Sequence, residues 1–286
     1  MESLKILRRR IKSVSSTMQL TRAMELVSAA KLRKAQTRLV SSRPYASNMQ
    51  TILENLSSAS TTLTHPLFEK REVKQKGLVI ISSDRGLCGS YNVNIFRRAE
   101  EFLGQEDNKG KVRLIILGKK GFYHYRRRPW EIKLKYLDLG AKLELARTKA
   151  ITADLVNLFL SGELDEIFLL YTRFLTVSSY RITLEKFLNI EGPEETEEEV
   201  SIQYIFEPSA ERLFDGLLPR YCLTRIQIAL SEAFASEQGS RMIAMGAATQ
   251  NAEEMIDQLT LLRNKARQAS ITKEMVEIAS GVEALK

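Results

Sequence analysis

Glycine is missing from the first 76 residues of this 286-residue chain; the first is Gly77. Before Ser60, proline occurs once, at Pro44. With so few breakers, this end of the chain excludes a loop-rich fold and permits one long helix. Cysteine is limited to Cys88 and Cys222, with no CxxC pair. That excludes a disulfide framework and points to two reduced thiols. His65 and His124 are the only histidines, too few for a His/Cys zinc cluster. No apolar run approaches the roughly 18 residues that a membrane-spanning helix needs. The basic N-terminus lacks a following apolar region and a small-residue cleavage site, so no secretion signal is expected.

What is present is charge of one sign at one end. Residues 1–60 hold eleven Lys and Arg against three Asp and Glu, an excess equal to the +8 of the whole chain. The remaining residues therefore balance. A basic end on a balanced chain points to an acidic or polyanionic partner for that end alone. In the same segment Leu4, Leu7, Ile11, Val14 and Met18 recur at spacings of three and four, the pattern of a coiled coil. Leu26, Leu32, Ala35 and Leu39 continue the stripe loosely. Pro44 is expected to kink the helix or break its bonding locally, with the pattern resuming through Ile52, Leu53 and Leu56. The spacing predicts one helix over about residues 3–60.

The tail behaves similarly. From Ala210 to Lys286 the breakers are Gly216, Pro219, Gly239, Gly246 and Gly281. About 75 helical residues would extend on the order of 110 Å at 1.5 Å per residue. Such a helix needs a partner along its seam, and the other long helix of the chain supplies one in an antiparallel pair. Between the two, the apolar runs "GLVIIS", "VRLIILG" and "EIFLLYT" alternate with helix-like stretches at about 91–105, 118–127 and 147–161. That alternation predicts a small, mostly parallel sheet. "RITLEKFLNI" and "SIQYIFEP" predict antiparallel strands flanking "EGPEETEEEV", which reads as a solvated loop because it lacks the ligand spacing of a calcium loop. The expected fold is mixed α+β and α/β: a long antiparallel coiled coil of N- and C-terminal helices plus a central Rossmann-like α/β domain. Its expected divisions are 1–60, 75–208 and 209–286.

The stretch "GLVIISSDRGLCGSYN", Gly77 to Asn92, has the outline of an enzyme motif: an apolar run, then a Gly-containing turn. A phosphate loop needs Lys and then Ser or Thr after its last glycine, but Gly89 is followed by Ser90 and Tyr91. A dinucleotide fingerprint needs three glycines, and neither "RGLCGS" nor "GKKGFYH" has them. Cys88 as a nucleophile needs a base, and neither His65 nor His124 sits in a recognisable constellation. The basic helix could track a nucleic-acid backbone, yet no aromatic residue precedes Pro44 to stack on bases. The same charges fit an acidic protein surface. A basic coiled-coil nucleic-acid-binding protein and a small α/β enzyme with helical arms remain the alternatives.

Five segments, in order, resemble one family: "TRAMELVSAAKLRKAQ", "SDRGLCGSYN", "ASEQGSRMIAMGAATQNA", "LRNKARQASIT" and "ITKEMVEIASGVEAL". Together they are similar to the γ subunit of F-type ATP synthases, of bacterial type, across essentially the whole chain. The resemblance implies a non-catalytic rotor. Its coiled coil turns inside a hexamer of alternating α and β subunits, its α/β domain sits near the ε subunit, and the c-subunit ring drives it by proton flow. No cofactor, metal or nucleic acid is implied. The implied location is peripheral, on the cytoplasmic face of the bacterial plasma membrane.

The resemblance also implies site residues. Met24 at a collar, and Arg267, Gln268 and Thr272 further along, are expected to contact the hexamer. Asp84 and Arg85 are expected to contact a β subunit beside a near-surface Cys88 thiol. Ile278, Val282 and Leu285, with Ala279, form an expected bearing tip. Three departures from the family pattern stand out: Val282 follows Gly281 where Ala is usual, "CGS" replaces a Gly pair, and Gly239 and Gly246 replace helix formers. Two helical glycines are expected to cost about 1 kcal/mol each. The family match begins within the first few residues, so no transit peptide is expected, and the cysteine pair of chloroplast relatives is absent.

Overall fold

The computed structural model describes residues 3–59, 65–69, 71–139, 144–190 and 210–283. The chain forms two compact units: Met1–Ser28 with Arg241–Lys286, and Ala29–Ser240. Two long helices contribute to both: α1, Leu4–Ala59, and α5, Ala210–Glu283. The expected helices over about 3–60 and from residue 210 are thus present and uninterrupted. Pro44 does not end α1, nor Pro219 α5. Both prolines are exposed, so the carbonyl each deprives of a donor faces the side where water can serve it.

The second unit holds a five-stranded sheet. Its strands are β1 (Lys76–Ile81), β2 (Val112–Leu117), β3 (Ile132–Tyr136), β4 (Glu166–Phe174) and β5 (Tyr180–Leu188). They lie in the order β3-β2-β1-β4-β5. The first four run parallel, with Val79 opposite both Ile115 and Leu169; β5 pairs antiparallel with β4, Leu170 facing Leu184. Helices α2 (Tyr91–Leu103), α3 (Lys119–Tyr125) and α4 (Leu145–Leu160) connect them. The apolar runs of β1 and β2 carry no polar alternation because both sheet faces are covered. On one face Val79, Ile81, Ile115 and Leu169 pack with Ile151, Leu155 and Phe159 of α4 and with Phe214, Leu218, Cys222 and Ile226 of α5. On the other, Leu78, Ile80, Leu114 and Ile116 pack with Tyr91, Ile95, Ala99 and Phe102 of α2.

Buried polar bonds tie α5 to this sheet. The Tyr91 hydroxyl donates to the Ala233 carbonyl at 3.1 Å and accepts from Thr172 Oγ1 at 3.1 Å, and burial raises its pKa well above the usual phenol value. "SIQYIFEP" and the acidic run "EGPEETEEEV" lie outside the described residues.

Candidate functional site

The turn between β1 and α2 is built from side chains that serve the backbone. Asp84 Oδ1 accepts from the backbone N–H of Lys119 at 3.0 Å and of Asp138 at 3.1 Å. It thereby joins the end of β1 to the start of α3 and to the segment after β3. Lys119 Nζ closes the group on Asp138 at 2.6 Å. Ser83 N–H donates to Asn92 Oδ1 at 3.1 Å, while Asn92 Nδ2 donates to Ser83 Oγ at 2.8 Å and to Cys88 Sγ at 3.2 Å. Leu87 and Gly89 both have φ near +60°, the left-handed region that lets the chain reverse within a few residues. Leu87 and Arg85 are both exposed.

Cys88 corrects an expectation. The near-surface thiol is only 2% exposed and belongs to the α2-side core. The left-handed turn points Leu87 out and Cys88 in, a reversal that the sequence pattern does not encode. Cys222 is also buried, and burial pushes its thiol up to about 12.

The glycines of "GKKGFYH" pack; they do not cradle phosphate. Gly118 has φ +106°, and a Cβ there would stand 2.1 Å from the Ser82 carbonyl oxygen. A Cβ on Gly121 would stand 2.8 Å from Ser82 Oγ, which accepts the Gly121 N–H at 2.9 Å. The histidines are similarly occupied. His65 Nδ1 accepts from Leu67 N–H at 3.1 Å, and His124 stacks on Phe96 at 4.2 Å between centroids. Burial lowers the pKa of both. Among the described residues no group of three or more His, Cys, Asp or Glu could hold a metal ion, and no helix is long and apolar enough to cross a membrane.

A 580 Å³ pocket in the second unit is lined by Arg43, Tyr171, Arg225, Glu185 and Glu232, among others. Two ion pairs cross it: Arg43 with Glu232 at 3.2 Å, and Arg225 with Glu185 at 2.9 Å. Arg43 Nη2 also donates to the Phe174 carbonyl at 3.1 Å, linking α1, β4 and α5.

The side of α1 that turns inward follows one rule. Leu7, Ile11, Val14, Met18, Thr21, Glu25, Ser28, Leu32, Ala35, Leu39, Ser42, Ala46, Met49 and Leu53 are buried or half-buried at alternating spacings of four and three. Leu26, assigned to the stripe from sequence, is 65% exposed. The stripe looks loose between Met18 and Leu32 because its seam residues there are polar. The signal in the sequence is the unbroken four-three spacing, which apolarity alone does not carry. In the first unit, Thr21 Oγ1 lies 2.8 Å from Thr249 Oγ1. One turn on, the Glu25 carboxylate lies against Gly246, an order that makes the two helices antiparallel there.

The remaining expected site residues lie on that first unit. Met24 is half-buried, while Arg267, Gln268 and Thr272 are exposed, with Thr272 Oγ1 donating to the Gln268 carbonyl at 3.0 Å. Every residue from Ile271 to Gly281 is exposed, Ile278 at 69%. Val282 is helical but its side chain, like the whole of Leu285, lies outside the described residues. Ile271, Met275, Val276 and Ile278 are thus apolar side chains that the described residues leave exposed, with Ile271, Met275 and Ile278 on one face of the helix.

A family model described as ATP synthase matches residues 3–285. The ATP synthase gamma chain of Protochlamydia amoebophila is 44% identical and that of Moorella thermoacetica 46%, each over 286 residues and the full length of both chains. Among solved structures, the central stalk and c-ring of the Tetrahymena thermophila mitochondrial ATP synthase includes a chain matching at TM-score 0.62 and 26% identity, covering 80% of this chain and 99% of that one. A chain of the Euglena gracilis mitochondrial enzyme in rotational state 3 has the same fold, at TM-score 0.69 and 18% identity, covering 99% and 94%. The chain belongs to the family of ATP synthase gamma chains.

Proposed function

We propose that this chain is the central-stalk rotor subunit of an ATP synthase. It carries torque between the ring of c subunits and the catalytic β subunits, coupling proton flow to ATP synthesis or hydrolysis. The observation that carries this reading is the end-to-end likeness to gamma chains, 44% over 286 residues with neither chain overhanging. The physical features agree with it. Long helices with a continuous backbone ladder resist twisting, and an apolar tip without directional bonds lets a bearing slide. Exposed charges on α1 and α5 form contacts worth about 0–1 kcal/mol each, weak enough to be exchanged as the rotor turns. Nucleotide chemistry stays with α and β.

Met24, Arg267, Gln268 and Thr272 are proposed as contacts to the hexamer, with Ile278, Val282 and Leu285 as the bearing. Asp84 and Arg85 are proposed to meet a β subunit: Arg85 from its exposed position, Asp84 by holding the turn, and Cys88 as buried support beneath them. The functional division follows residues 1–60, 75–208 and 209–286, with ε and the c-ring as partners of the central part. The complex places the chain peripherally on the cytoplasmic face of a bacterial plasma membrane. Mixing the chain with separately purified α and β subunits tests the reading. Assembly with raised ATPase turnover is expected; no complex would overturn it, and salt-sensitive DNA retention in its place would favour a nucleic-acid-binding coiled coil.

A further inference from the structure

The seam of α1 changes character over three consecutive positions. Leu7, Ile11, Val14 and Met18 are apolar, Thr21, Glu25 and Ser28 are polar, and Leu32, Ala35 and Leu39 are apolar again. Within the first unit the buried described residues are Leu7, Met245 and Ala252 on the apolar side, against Thr21, Ser28, Arg241 and Thr249. Polar groups therefore outnumber apolar ones in its buried interior. An apolar seam discriminates poorly between axial registers, because a helix displaced by one turn still sets aliphatic carbon against aliphatic carbon. A buried directional bond discriminates well, at some cost in stability.

The Thr21 and Thr249 hydroxyls supply that bond. Thr21 Oγ1 is 3.0 Å from the Met18 carbonyl, Thr249 Oγ1 is 2.9 Å from the Met245 carbonyl, and the two hydroxyls are 2.8 Å apart. Two hydroxyl protons serve three short contacts. One hydroxyl donates across to the other helix while the second donates to its own helix's carbonyl, and the reverse arrangement is equally good. The interhelical bond therefore survives either proton placement. A slip of one turn would bring Thr21 toward Met245 or Ala252, which offer no hydroxyl. One turn further along, Gly246 gives the Glu25 carboxylate its place: a Cβ there would stand 3.3 Å from Oε1.

We propose that Thr21 and Thr249 are positioning residues that set the axial register of the two helices in this unit. They thereby hold Met24 on α1 and Arg267 on α5 at fixed relative heights for the hexamer to meet. This rests on the rotor reading for its consequence, though not for the register itself.

The test replaces each hydroxyl by an isosteric methyl and then restores it. T21V, T249V, the double valine variant and T21S/T249S are made in the full chain, with spin labels at the exposed positions Arg22 and Gln250. The unsubstituted chain and the double serine variant are expected to give one narrow distance. The double valine variant is expected to show a broader distribution, since the bond that selects one register is gone while the helices remain continuous. In the assembled, membrane-bound complex the same variant is expected to lose proton pumping per ATP hydrolysed, with serine restoring it. One unchanged narrow distance in the double valine variant would overturn the register assignment. A broadened distance with unchanged pumping would overturn the positioning role. If the double variant fails to fold, each single valine variant leaves one hydroxyl bonded to its own helix and carries the same comparison. Failure of the unsubstituted chain to stimulate α and β would sink the rotor reading and leave the distance result standing.

Discussion

A Cβ on Gly239 would stand 2.9 Å from the carbonyl oxygen of Val177, in the connection between β4 and β5. The same Cβ on α5 would stand 4.0 Å from Leu32 Cδ2 on α1. Sequence alone presents Gly239 as a defect in a helix, but the packing makes it the place where a hairpin backbone meets that helix. Replacing it with alanine gains helix propensity of about 1 kcal/mol yet forces backbone apart. Gly239→Ala is expected to lower the denaturation midpoint, whereas Gly246→Ala, which meets only the movable Glu25 carboxylate, is expected to hold or raise it. Urea melts of the two variants side by side check this.

Gly118 has no such latitude. Its φ of +106° disfavours any L side chain, and a Cβ would overlap the Ser82 carbonyl. Gly118→Ala is expected to cost more than about 3 kcal/mol, since it combines backbone strain with a clash. Loss of the cooperative unfolding transition, with helical circular dichroism largely retained from α1 and α5, is the expected signature.

Glu232 gives stability a pH slope. Its side chain is 4% exposed, Oε1 pairs with Arg43, and Oε2 has no partner. Burial raises its pKa above the ordinary 4.5, against the opposing pull of Arg43. The folded state therefore holds this proton more tightly than the unfolded state, and stability falls as pH rises from about the ordinary value through the folded one. Below the ordinary value both states are protonated and the penalty vanishes. The stability of Glu232→Gln relative to the natural chain is expected to increase with pH across that window, read from urea midpoints at a series of pH values. Arg43→Ala strips the pair from the other side and is expected to cost about 2 kcal/mol at neutral pH.

Both thiols should be silent in the folded chain. Cys88 lies under the turn and Cys222 in the core against α4, with its thiol pushed up to about 12. Labelling by a thiol-reactive dye at pH 8 is expected to be slow for both and to become fast in denaturant. Fast labelling of one thiol in native buffer would contradict the burial.

The long helices and the alternation of the middle were legible because each rests on a period written directly in the residues. The sparse glycine and proline gave α1 and α5, and the apolar runs gave β1, β2 and β4. Strand order was not legible, because β1, β2 and β4 are almost equally apolar and their pairing depends on crossovers made in space. The inward turn of Cys88 hung on a left-handed Leu87, a conformation that leucine seldom advertises. Thr21, Glu25 and Ser28 were not legible as seam residues because apolarity marks a seam in sequence, and here seam and apolarity part. The two glycines of α5 were visible as exceptions, but only the approach of Val177 and Glu25 gives them reasons.

Asp84 spends its carboxylate inside the molecule, on the backbone of Lys119 and Asp138. A loop tied only at its ends would flex when loaded at its tip and dissipate the push as local motion. Under the proposed contact with a β subunit, a force arriving at Arg85 would pass into the end of β1, the first turn of α3 and the segment leaving β3, which Asp84 ties together. On that proposal the turn is a braced bracket, and displacement at its tip would become displacement of the sheet.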